Sequence, residues 1–87
     1  MKQLRLNDNI YYEKIDNEIV ILNANTDRYQ SLNETASFIF EGIISQGSEE
    51  DIIQRVMDTY DAVFEDVKYD YDKTISILVE MKVLTYA

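Results

Sequence analysis

The hydrophobic period of this chain changes once, at Asn33, and that change restricts the fold more than any other feature. Before it, β-branched and aromatic residues dominate two runs, Ile10-Tyr11-Tyr12-Glu13-Lys14-Ile15 and Glu18-Ile19-Val20-Ile21-Leu22, as strands require. Asp16-Asn17, between the runs, tolerates the positive φ of a tight hairpin turn. The second run is apolar on both faces, which suits a central strand. Asn23-Ala24-Asn25-Thr26-Asp27 reads as a second turn, rich in side chains that bond to nearby backbone. Arg28-Tyr29-Gln30-Ser31-Leu32 then reads as a third strand, short and polar in the manner of a sheet edge.

From Asn33 onward the spacing is helical. Asn33 is a good N-cap, and Ala36, Ile39, Phe40 and Ile43 share one helix face. Gly47 is expected to end this helix as its left-handed residue. Ser48 with Asp51 opens a second helix, whose apolar face is Ile52, Ile53, Val56, Met57 and Tyr60. A third helix is expected from near Glu65 to about Lys82. Its main stripe is Val67, Tyr71, Thr74, Ile75, Leu78 and Lys82, with Ile77 and Met81 on one flank. Val83-Leu84 closes the chain against the core. Tyr11, Tyr12, Tyr29, Tyr60 and Tyr71 fill that core or its rim, unless some of them line a recognition groove. The pattern predicts an α+β fold, a three-stranded antiparallel sheet followed by three helices.

Eighty-seven residues make one domain, expected to span 1–87. The chain has no Cys and no His, which removes disulfides, thiolate metal sites, the commonest general base and most transition-metal ligands. Neither Gly42 nor Gly47 sits in a phosphate-cradling pattern. Glu65, Asp66, Asp70 and Asp72 lack the spacing of a calcium loop, and like Glu49, Glu50 and Asp51 they sit near helix starts, where acids favour the macrodipole. No catalytic residue, metal or cofactor is therefore expected. Seventeen acidic and eight basic residues give a net charge of −9, the wrong sign for nucleic acid or anionic lipid. No apolar run is long enough to span a membrane, and the start Met1-Lys2-Gln3-Leu4-Arg5-Leu6 lacks the apolar stretch of a signal peptide. A cytoplasmic protein is expected.

The run Tyr29-Gln30-Ser31-Leu32-Asn33-Glu34-Thr35-Ala36-Ser37-Phe38-Ile39-Phe40 resembles the signature of the PqqD-like family. That signature is an aromatic, then Leu-Asn, a Thr/Gly-Ala pair, and Ile before an aromatic. Ser48-Glu49-Glu50-Asp51-Ile52-Ile53 resembles the family's second-helix start, Tyr60-Asp61 its helix end, and Asp70-Tyr71, Ile75, Leu78 and Val83-Leu84 its closing pattern. The similarity runs from about Ile10 to Leu84. Two residues depart from it: Lys82 stands where the family often has Gly, and Thr74 where a large apolar residue is common.

The resemblance implies a winged helix-turn-helix-like fold and the role of a RiPP recognition element. Such a protein binds the leader segment of a ribosomally synthesised precursor peptide and delivers it to a peptidase or other modifying enzyme of the pathway. A lasso-peptide pathway is the expected subclass. It also implies that the leader adds as a strand beside the third strand, in a groove against the third helix. On that basis Arg28, Tyr29, Gln30, Ser31 and Leu32 furnish one wall, and Asp70, Lys73, Thr74, Ile77, Leu78 and Met81 the other, with Asp70 available to a basic leader residue. Backbone pairing at the edge gives affinity and side-chain pockets give preference. An open edge can also pair with its own copy, which allows an edge-paired homodimer. Two other readings compete. A winged-helix DNA-binding regulator needs a Lys/Arg cluster that the helices lack. A scaffold subunit of an enzyme complex would use an exposed groove without binding peptide.

Overall fold

The computed structural model describes residues 3–86. Its elements are β1 (Leu4–Leu6), β2 (Ile10–Ile15), β3 (Glu18–Asn23), β4 (Arg28–Leu32), α1 (Glu34–Ile44), α2 (Glu49–Tyr60), α3 (Phe64–Glu80) and β5 (Leu84–Tyr86). Strands β2, β3 and β4 form an antiparallel sheet with β3 in the centre, so the run that is apolar on both faces is the one with two neighbours. β1 and β5 form a second, two-stranded sheet that pairs Leu4 with Tyr86 and Leu6 with Leu84. This ribbon is an addition to the three strands expected from sequence. Each of its strands has three residues, too few to show a period of two.

The three-stranded sheet turns one face to the helices. Ile19 and Ile21 of β3 and Leu32 of β4 point into a core completed by Ile39 and Phe40 of α1, Ile52 and Val56 of α2, and Val67 and Leu78 of α3. Val83 and Leu84 close it, at 0% and 1% exposure. Lys14 on β2 reaches over to Glu41 of α1 at 3.1 Å, and the Tyr12 ring meets Phe40 edge-on at 5.3 Å. Tyr71 is buried, and the Tyr60 ring meets Phe38 edge-on at 5.8 Å. Tyr11 and Tyr29, by contrast, lie on the outer face of the sheet and are well exposed, and Tyr12 is nearly half exposed, so these three do not fill the core.

The helix ends follow the expected caps with instructive shifts. Asn33 Oδ1 accepts the Ala36 N–H at 2.8 Å, and Ser48 Oγ the Asp51 N–H at 3.1 Å. The left-handed residue after α1 is Gln46, at φ 63°, and not Gly47. Space at Gly47 is tight: a Cβ there would stand 3.2 Å from the Gly42 carbonyl oxygen. The third helix begins one residue earlier than expected and ends before Lys82. Lys82 is therefore no part of the helix stripe; it is exposed and left-handed at φ 62°, adopting the conformation glycine takes at no steric cost. Asn23, expected in the turn, ends β3 and is 1% exposed. Its carboxamide Nδ2 donates to the Met81 carbonyl at 3.0 Å, and its Oδ1 accepts the Asn25 N–H at 3.0 Å. One buried side chain thus ties the β3–β4 turn to the end of α3. No helix among the described residues is long and apolar enough to cross a membrane.

Candidate functional site

The register of the sheet decides which backbone groups are free at its edge. Ala24 N–H donates to the Asn9 carbonyl at 3.0 Å. In an antiparallel ladder the bonded pairs alternate, so Val20, Leu22 and Ala24 address β2 while Ile19, Ile21 and Asn23 address β4. Their partners on β4 are Leu32, Gln30 and Arg28. The N–H and C=O groups of Tyr29 and Ser31 consequently point away from β3, to a side on which β4 has no neighbouring strand among the described residues.

Both ends of this edge strand are fixed. At its end, Ser37 Oγ accepts the Ile19 N–H at 2.8 Å and donates to the Leu32 carbonyl at 3.2 Å, bridging β3, β4 and α1. At its start, Arg28 pairs with Asn23, whose side chain holds the end of α3. β4 is thus held to α1 at one end and, through Asn23, to the end of α3 at the other, and a cleft of about 280 Å³ opens between β4 and α3.

Leu32 and Thr74 are both nearly buried at the base of this cleft, Gln30 and Ile77 are half-buried beside them, and Ser31, Asp70 and Lys73 border it. These seven come from the two walls expected from sequence. Asn33, Thr35 and Ala36 line the cleft as well. Asn33 was expected as a cap and Ala36 on the core face of α1, and the small side chains at the first turn of α1 leave room here. Leu78 must be reassigned: it has 0% exposure and packs in the core, one helical step round from Ile77. Arg28, Tyr29 and Met81 lie outside the cleft. Tyr29 projects from the opposite face of the sheet, and Met81 marks the end of α3.

The electrostatics are uneven. Lys73 Nζ lies 5.9 Å from the centroid of the Tyr69 ring, within cation–π range. Asp70 makes no ion pair among the described residues. A carboxylate with no partner at a wet rim suits a ligand cation. Two other hollows, of about 450 and 360 Å³, occupy the far side of α3 around Tyr71, Ile75 and Tyr86. Burial, and then the charge of Glu49, push the Tyr71 phenol above its ordinary pKa, so it stays neutral there. These hollows are larger, but the strands that border them, β1 and β5, have three residues each, against the five of β4. Among the described residues no group of three carboxylates could hold a metal ion.

A family model described as "Coenzyme PQQ synthesis protein D (PqqD)" matches residues 18–84. No curated protein sequence matches. Among solved structures, the chain is similar to "TbiB1 in Complex with the TbiA(beta) Leader Peptide", with TM-score 0.84 and 22% identity over 92% of this chain and 93% of that one. It is also similar to "Lasso peptide synthetase B1 complexed with the leader peptide", with TM-score 0.87 and 24% identity over 95% of this chain and 98% of that one. At these identities the likeness establishes a shared fold.

Proposed function

Because the chain belongs to the PqqD family, we propose that it binds the leader segment of a ribosomally synthesised precursor peptide as a strand added to β4. The observation that carries this reading is the outward-facing backbone of Tyr29 and Ser31 beside a cleft closed on its other side by α3. An extended peptide there satisfies the open edge with main-chain bonds and places alternate side chains against Leu32, Thr74 and Ile77. The two solved structures of the same fold are each described as complexes with a leader peptide. In this role the protein is not an enzyme. It raises the local concentration of the precursor for a peptidase or other modifying enzyme, in a lasso-peptide pathway. The DNA-binding alternative finds no support: α3 carries five carboxylates against Lys68 and Lys73, and Lys68 is already engaged by Glu49 and Asp72 at 2.8 and 2.9 Å.

Calorimetric titration with the leader peptide of the precursor encoded beside this protein is the test. One-to-one binding with a dissociation constant below roughly 10 μM is expected, with a negative heat-capacity change from the apolar cleft. Absence of heat and of any fluorescence-anisotropy change at high micromolar concentration, for the full leader and its fragments alike, would sink the reading.

A further inference from the structure

β4 does not offer its whole edge. Of the four outward groups on Tyr29 and Ser31, the Ser31 carbonyl is already occupied: Gln30 Nε2 donates to it at 2.8 Å. Gln30 pairs with the fully buried Ile21, so its side chain starts on the helix-facing side of the sheet, in the cleft. From there it curls to the edge and sets an amide N–H where the first N–H of an added strand would go. A primary carboxamide carries the same donor and acceptor as a peptide unit. The side chain thus stands in for one peptide group of the missing strand.

We propose that Gln30 is a removable cap on the ligand-binding edge, which closes the Ser31 carbonyl in the free protein and is displaced when the ligand strand adds. The proposal rests on the reading of this cleft as a leader-peptide site. Its physical logic is that an edge strand with open acceptors pairs with any extended chain, its own copy included. A side-chain bond at the surface is worth little net, because water replaces it. Such a cap therefore lets a ligand in while removing one open acceptor from the free edge. The incoming strand must break the Gln30 bond before it forms its own, and this cost falls on association.

The test compares wild type, Gln30→Ala and Gln30→Met, the latter keeping the length of the side chain without its donor. The probe is the fluorescein-labelled leader peptide of the neighbouring precursor gene. Both variants should bind about two- to tenfold tighter than wild type, with the gain in the association rate constant. In wild type, the Gln30 side-chain NH₂ signals, assigned by their loss in Gln30→Ala, should move when leader saturates the protein. Weaker or unchanged binding by either variant, or Gln30 signals that stay in place at saturation, overturns the proposal. Failure of the wild type to bind leader at all counts instead against the proposed function.

Discussion

Replacing Ser31 by proline is expected to lower affinity for the leader peptide by at least about 30-fold, the loss of two or more main-chain bonds at the edge. The melting temperature should fall by no more than about 5 °C. The asymmetry follows from the register. The Ser31 N–H faces the open side, so proline there removes no bond of the β3–β4 ladder. What it removes is one donor to the ligand, and its ring stands where the added strand would lie. Gln30, just before it, is held extended by the strand, the conformation that a following proline favours. The neighbouring change Gln30→Pro should behave oppositely. Its N–H addresses Ile21, which is wholly buried, and losing it costs about 2–3 kcal/mol of stability. Binding and thermal denaturation measured on the two variants separate an edge that receives a strand from one that merely ends the sheet. Equal losses of affinity and stability in both would contradict this assignment of the edge.

Ser37→Ala should be the most damaging single-atom change in the chain, at about 2–3 kcal/mol. For a domain this small that is a fall of roughly 10–20 °C in melting temperature. The hydroxyl is 1% exposed with its residue and serves two buried backbone groups, the Ile19 N–H and the Leu32 carbonyl. Alanine fills the space and satisfies neither. Because Leu32 is the end of the binding edge, affinity for the leader should fall as well, but this loss should recover on cooling, unlike that of Ser31→Pro. Urea denaturation gives the figure directly. A cost below about 1 kcal/mol would mean that Ile19 and Leu32 close their own bond once the hydroxyl is gone.

The main sheet and the helices were legible because periodicity carries them. The run Glu18–Leu22 suited a central strand and the polar Arg28–Leu32 an edge, and they take those places. The β1–β5 ribbon was not legible, since its pairing joins Leu4 to Tyr86 across nearly the whole chain and three residues show no alternation. The positive φ expected of the Asp16-Asn17 turn is found at Asp16, but the left-handed positions after α1 and α3 were misjudged. Glycine is the usual occupant, yet Gln46 and Lys82 take these positions here because the turns at the ends of α1 and α3 impose them. The two walls of the cleft followed from the edge strand and from the resemblance to a known family. Their finer membership depended on rotation about α3. One step of about 100° places Leu78 in the core and Ile77 in the cleft. Nor could the sequence show that Asn23 ties the sheet to the end of α3, because it acts through a contact with Met81, far along the chain.

Amide hydrogen exchange, read residue by residue with and without leader peptide, tests the central claim most directly. In the free protein the Gln30 and Leu32 amides should be protected by the sheet, and those of Tyr29 and Ser31 should exchange quickly. Saturating leader should slow Tyr29 and Ser31 by at least about tenfold and leave Gln30 and Leu32 little changed. If leader binds to saturation while Tyr29 and Ser31 still exchange as in the free protein, the peptide does not add to β4 and the account is wrong.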